Sequence, residues 1–247
     1  MPLEAGLPRI DERVRELNAR YRHHAAADVL ETALTDPMLG AAALVSSFGA
    51  EAVVLLHMVS RIDRTTPVLF ADTGMLFEET LTYQQQVADR LNLTDVRRIT
   101  PDPAELLVRD TDTILHVADT KACCALRKTE PLEQALQGFD TWITGRKRFQ
   151  GGARATLPLF EAFEGRIKVN PLSAWSREDV ADYMTNNRLP RHPLVAKGFT
   201  SLGCIPCTTP TAPGEDPRAG RWRGQDQTEC GIHIPAQSSQ LRRTPTP

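Results

Sequence analysis

Short apolar runs alternate with helix-length amphipathic stretches through the middle of this chain, and that alternation leaves few folds open. Ala41–Val45, Pro67–Ala71, Val96–Ile99, Thr141–Thr144 and Ile167–Val169 read as strands. Ala52–Ile62, Phe77–Leu91 and Arg177–Asn187 carry helical spacing, the last with Ser176 as N-cap and Asp179 three residues on. Strands separated by single helices imply βαβ units, a mainly parallel sheet and helices on both faces. With 247 residues and 41% hydrophobic content the chain can build one α/β core without a forced split. Upstream, Ile10–Ala33 places Val14, Leu17, Tyr21 and Ala25 on one stripe, which predicts an amphipathic helix. Downstream of Asn187 periodicity stops, and Pro, Gly, Thr, Arg and Gln dominate. The expected division is a helical segment at 1–40, an α/β core at 41–188, and at 189–247 an excursion over the core that ends in a mobile tail.

Charge excludes several function classes. Lys and Arg total 29 against 31 Asp and Glu, so no chain-wide basic field for nucleic acid or a membrane surface is expected. No apolar run approaches the roughly 18 residues of a membrane span. Glu4, Arg9, Asp11 and Glu12 leave no apolar signal-peptide region, so a cytoplasmic location is expected.

Open α/β sheets bind ligands at the carboxyl ends of their strands. Three such ends here are polar: Ser46-Ser47-Phe48-Gly49-Ala50-Glu51, Asp72-Thr73-Gly74, and Gly145-Arg146-Lys147-Arg148-Phe149-Gln150 followed by Arg154. Small residues before a helix let backbone N–H groups reach an anion, and guanidinium groups take phosphate or sulfate bidentately. The first loop is neither a Walker A loop nor a GxGxxG turn, so dinucleotide and P-loop chemistry is not indicated.

The five cysteines divide four to one. Cys204-Ile205-Pro206-Cys207 is a CxxC turn that aims two thiolates at one centre. Adjacent Cys123-Cys124 on a helix diverge by roughly 100°, which suits two corners of a polynuclear cluster better than two vertices around one ion. A zinc ion on the same four thiolates is the rival, and Lys121, Arg127 and Lys128 flank the first pair. Cys230 stands apart in Thr228-Glu229-Cys230-Gly231-Ile232-His233. It is expected to be a flexible, accessible nucleophile, with His233 lending positive charge or a hydrogen bond to its thiolate and Arg218, Arg221 and Arg223 meeting an anion.

This ordered series resembles the assimilatory adenylyl-sulfate (APS) reductases, relatives of the phosphoadenylyl-sulfate (PAPS) reductases. Its carriers run from Ser46–Glu51 and Asp72-Thr73-Gly74 through Cys123-Cys124 with Arg127-Lys128 and Gly145 with Lys147, Arg148 and Gln150. They continue through Asn170-Pro171-Leu172 to His192-Pro193-Leu194, Cys204 with Cys207, Arg218, Gly220-Arg221-Trp222 and Glu229–His233. The resemblance implies a sheet of the adenine-nucleotide α-hydrolase type and a [4Fe–4S] cluster on Cys123, Cys124, Cys204 and Cys207. It implies adenylyl sulfate as substrate, with Ser46, Ser47, Phe48, Gly49, Asp72, Thr73, Gly74, Lys147, Arg148, Gln150, Arg218 and Arg221 around it. Catalysis would fall to Cys230, His233 and Lys128. Cys230 would attack the sulfate sulfur, AMP would leave, and thioredoxin would release sulfite from the S-sulfocysteine, in sulfate assimilation for cysteine biosynthesis. A homo-oligomer is expected, with no nucleic-acid or membrane partner.

Two positions depart from the family pattern. Gln227 stands where a Lys is usual, and Gly151 follows Gln150 where a Ser is common. In this family the cysteine pairs accompany APS use, which favours APS over PAPS. Two other classes compete. A tRNA-thiolating ATP pyrophosphatase would show an SGGxDS-type loop that Ser47–Glu51 lacks, and a zinc-stabilised binding module would leave Cys230 incidental.

Overall fold

A computed structural model describes residues 9–225 and 227–234. Glu4 and the expected tail at 235–247 lie outside the described residues. The chain opens with α1 (Ile10–Tyr21) and α2 (Ala26–Thr35), then alternates β1 (Ala42–Ser46), α3 (Ala52–Ile62), β2 (Val68–Ala71), α4 (Glu78–Leu91) and β3 (Val96–Ile99). Short helices α5 (Pro103–Arg109), α6 (Leu115–Ala118) and α7 (Thr120–Cys124) lead through a π-helical turn at Ala125–Thr129 into α8 (Glu130–Ala135). Next come β4 (Thr141–Ile143), the hairpin β5 (Phe160–Phe163) and β6 (Arg166–Val169), and α9 (Arg177–Asn186).

The six strands lie in the order β3-β2-β1-β4-β6-β5, all parallel except β5 against β6. Strand alternation sends Leu44, Phe70, Ile143 and Val169 to a core shared with α1–α4 and α9. The intervening Ala43, Val45, Leu69 and Trp142 pack with Leu132 and Leu136, from α8 and the residue just after it, on the other face. Burial on both faces is why these strands read as continuous apolar runs, and the expected doubly covered parallel sheet is what forms. Among the described residues no helix is long and apolar enough to cross a membrane.

The amino-terminal stretch differs from the single helix expected over Ile10–Ala33. It breaks after Tyr21, where the His24 N–H turns back to the Tyr21 carbonyl, and restarts at Ala26 with Asp28 accepting the Ala25 N–H. The break lets α1 reach the far sheet edge. There Asn18 donates to the Phe160 carbonyl (2.7 Å) and accepts the Phe160 N–H (3.1 Å), closing the open backbone of β5. Nothing in the sequence marks that edge strand, because Glu161 interrupts the apolar residues of Phe160–Phe163.

Strand order reverses between β1 and β4, so a crevice opens beyond Ser46 and Thr144. The segment from Leu189 to Ile234 closes over this crevice through short turns and the isolated bridges Leu76–Cys204 and Thr208–Arg221.

Candidate active site

The loop after β1 is built on Ser46, whose hydroxyl accepts the Phe48 N–H at 3.2 Å. Phe48 takes φ +48°, uncommon for a bulky residue, and its fully buried ring packs edge-on against Phe70. Phe48 therefore anchors the turn from below, while Ser46, Ser47 and Gly49 face an open cleft of ≈ 1130 Å³.

The loop after β2 does not reach this cleft. Asp72 is buried, with one oxygen accepting the Gly74 N–H (2.9 Å) and the other paired to Arg98 (2.5 Å). The Thr73 hydroxyl accepts the Met75 N–H and lies 3.1 Å from Cys204 Sγ. Asp72 and Gly74 thus shape a turn, and Thr73 belongs to the cysteine site instead.

The loop after β4 divides its cations. Lys147 lies on the cleft but is already paired, donating to Glu51 Oε2 at 2.9 Å and the Gly145 carbonyl at 3.0 Å; Gln150 donates to the same Glu51 oxygen. Arg148 turns away and donates to the Leu157 carbonyl, so it supports the loop and is not on the cleft. Arg146 bonds Thr144 and Asn170 and pairs with Glu161; burial, then Arg154, pulls its pKa down to about 10.

The excursion supplies the opposite wall. Arg221 donates to the carbonyls of Leu202 (2.7 Å) and Cys207 (3.3 Å) and lies over the Trp222 ring. A Cβ on Gly203 would stand 2.4 Å from this guanidinium, so only glycine leaves Arg221 its place. Arg218 donates to the Thr228 carbonyl, and burial brings its pKa down to about 10. Cys230 and His233 also line the cleft.

Two expectations for this wall change. Cys230 is 9% exposed, not an accessible thiol on a loose segment. Desolvation, then Lys168, Arg146, Arg154 and Lys128, holds the His233 pKa well below its ordinary value. The imidazole is therefore neutral near pH 7 and can exchange hydrogen bonds, but it brings no positive charge; its ring stacks on Trp142. Positive charge beside Cys230 comes from Lys128, whose pKa is raised chiefly by that cysteine. Gln227, read as a lost cation, donates to the Glu229 carbonyl at 3.1 Å and tightens the turn before Cys230.

All four remaining cysteines line a second, smaller cavity together with Thr73, His116 and Lys128. Cys123 and Cys124 end α7, which Asp119 caps by accepting the Ala122 N–H. The π-helical turn after them carries Arg127 and Lys128. Arg127 is buried on Asp110 (2.6 and 3.1 Å) and reaches the Thr73 carbonyl. Lys128 lines both cavities and forms their common wall.

The donor set fits a polynuclear iron–sulfur group. Four free thiols face one space, the donor chemistry that iron–sulfur groups take. Burial first pushes the Cys123 thiol up to about 11 and Cys124 to about 12, against the opposing pull of Arg127 on the first and Lys128 on the second. Buried nitrogens of His116 and Trp222 lack hydrogen-bond partners around these cysteines.

The sheet order, the crevice at its switch point and the cysteine-bearing excursion define the class. Residues 41–210 match the phosphoadenosine phosphosulfate reductase domain, and the chain belongs to that family. Within the family it is 49% identical over 218 residues to the adenosine 5'-phosphosulfate reductase of Mesorhizobium japonicum, spanning 88% of this chain and 86% of that one. The enzyme of the same name from Mycolicibacterium smegmatis is 38% identical over 233 residues, 91% of this chain and 96% of the relative. Among solved structures, PAPS reductase from Candida auris in a phosphate complex superposes with TM-score 0.69 at 25% identity, covering 81% and 98% of the two chains. Candida glabrata FMN adenylyltransferase, at TM-score 0.54, 16% identity and 85% and 77% coverage, shares the fold alone.

Proposed function

We propose that this protein reduces adenylyl sulfate to sulfite and AMP, with thioredoxin as the reductant. The observation that carries the reading is that Cys230, Lys128, Arg218 and Arg221 line one cleft with the Ser46–Gly49 loop at the sheet's switch point. The Cys230 thiolate attacks the sulfur of the sulfate group. The bond from that sulfur to the bridging oxygen breaks, and AMP leaves with the electron pair. Lys128, Arg218 and Arg221 offset charge on the sulfate and the departing phosphate. A thioredoxin thiolate then attacks Cys230 Sγ, sulfite leaves, and the second thioredoxin thiol resolves the mixed disulfide. The neutral His233 donates its ring N–H to a sulfonate oxygen and adds no charge.

Cys123, Cys124, Cys204 and Cys207 would hold a [4Fe–4S] cluster, which would supply a fixed charge centre beside Lys128. Adenylyl sulfate is preferred to PAPS as the substrate because relatives 48% and 49% identical are named adenosine 5'-phosphosulfate reductase and the four cysteines are present. A reducing cytoplasmic compartment fits five unpaired thiols.

An anaerobic assay with reduced thioredoxin and adenylyl sulfate tests the reading. Sulfite and AMP should appear in equal amounts, faster than with PAPS at matched concentration. Cys230→Ser should abolish sulfite while the brown cluster absorption persists. Sulfite release by that variant would remove Cys230 from the chemistry.

A further inference from the structure

Arg154 faces the cleft, and on position alone it would be counted among the groups that grip an anionic nucleotide. Its hydrogen bonds point elsewhere. Nε donates to Glu229 Oε2 at 2.5 Å, Nη2 to Glu229 Oε1 at 2.6 Å, and Nη1 to Gln150 Oε1 at 2.5 Å. All three guanidinium nitrogens are engaged, and both residues are less than a tenth exposed. The fork-to-fork geometry with a carboxylate is charge-assisted at both bonds and fixes orientation as well as distance.

Glu229 immediately precedes the nucleophile, and its Oε1 also accepts the Cys230 N–H at 2.8 Å. Arg218 approaches the same oxygen at 3.5 Å, and the Gln227 amide holds the Glu229 carbonyl. Burial would raise the Glu229 carboxyl, but hydrogen bonds and charge from Arg154, then Arg218, hold it below the usual range. One carboxylate thus joins a fixed arginine on the core, between β4 and β5, to the backbone of the reacting cysteine.

We propose that Arg154 is a positioning residue that docks the nucleophile segment through Glu229, and that it does not bind the substrate's anionic groups. The pair sets the place of the Cys230 backbone, so Sγ points into the cleft instead of solvent. Thioredoxin reaches Cys230 only when this attachment opens, because the thiol is otherwise buried. The inference takes Cys230 as the nucleophile from the proposed reaction, but its test reads the thiol directly and does not need turnover.

The experiment is iodoacetamide labelling of the full cluster-loaded chain under anaerobic conditions, with alkylation at Cys230 followed by peptide mass spectrometry. AMP affinity is measured in parallel by calorimetry. Arg154→Met and Glu229→Gln should each speed Cys230 alkylation roughly tenfold or more, since removing one partner of a buried pair leaves the other uncompensated. The double variant should be no faster than either single one. Arg154→Met should leave AMP affinity within about twofold, and should lower kcat more than it changes KM. Arg154→Lys, which keeps charge but loses the fork, should fall between. Should Glu229→Gln fail to fold, Glu229→Asp is expected to show the same acceleration. Unchanged alkylation in either single variant, or a tenfold loss of AMP affinity in Arg154→Met, overturns the assignment. Absence of sulfite formation by the wild-type chain would instead count against the proposed reaction and leave the alkylation result standing.

Discussion

Replacing Lys168 with Met should stabilise this protein, and by an amount that depends on pH. Lys168 lies on β6 with no exposed surface, and its Nζ has no hydrogen-bond partner among the described residues. It rests 3.8 Å from the centre of the Phe163 ring and 4.2 Å from that of Trp142, with Glu161 3.8 Å away. Burial, then the neighbouring Arg146, lowers its pKa to about 6. A lysine that ionises near 10.5 in the unfolded chain must then lose its proton on folding at pH 7, at a cost of about 5 kcal/mol. The unfolded state binds the extra proton throughout this window, so wild-type stability rises with pH from near neutrality towards 10.5. Methionine fills a similar volume without the amine. Lys168→Met should therefore gain about 5 kcal/mol at pH 7 and about 1 kcal/mol at pH 10, converging at roughly 1.4 kcal/mol per pH unit between them. Urea midpoints of the two proteins at pH 7, 8, 9 and 10 measure this directly. Titration of the Lys168 13Cε resonance gives the folded pKa independently. Parallel pH curves, or a resonance that titrates near 10, would refute the argument that this lysine is neutral in the fold.

Two further outcomes are expected. His192 is 1% exposed, accepts the Leu194 N–H at Nδ1 and bonds Thr80 at Nε2, and burial lowers its pKa to about 4. Between pH 6.5 and 4 the unfolded chain alone takes up this proton, so stability should fall by about 3 kcal/mol across that window. His192→Asn keeps a capping acceptor and should flatten the slope in urea midpoints; an unchanged slope would assign it to other groups. At Gly220 a Cβ would stand 2.1 Å from the Thr209 carbonyl, in the strand-like contact that carries Arg221. Gly220→Ala should lower Tm by about 2–10 °C and weaken AMP binding, while an unchanged Tm and affinity would show that this contact is not needed.

The runs of β1, β2, β4 and β6 were legible because each is buried on both faces, and the N-cap at Ser176 because its acceptor chemistry is local: Ser176 takes the Asp179 N–H and Asp179 takes the Ser176 N–H. Helical spacing located α3, α4 and α9 to within a residue or so. The short helices α5 to α7 carry too few turns for a periodic signal, and β5 exists as a strand only because β6 and Asn18 satisfy its backbone. Among the site candidates, the loop serines, Gly49, Lys147, Gln150, Arg218, Arg221, Lys128, Cys230 and His233 come to one cleft. Phe48 and Asp72 sit in the same motifs but turn inward, and Gly74 and Arg148 lie off the cleft on exposed turns, because a motif lists neighbours in sequence without saying which side chain a turn aims at the ligand. Lys168 gave no signal at all: a single lysine in a strand looks like a solvent-facing residue until both sheet faces are seen to be covered.

Residue type and spacing by themselves determined the α/β class, the four-and-one division of the cysteines and the family, since these depend on local periodicity and on the order of motifs. Only the tertiary structure decided which charges are available. It closed Lys147 on Glu51 and Arg154 on Glu229, emptied His233 of its proton, and left Lys128 between the two cavities. Charge in a buried site is set by desolvation and by whatever the fold brings within hydrogen-bond reach, and residues from opposite ends of the chain supply both.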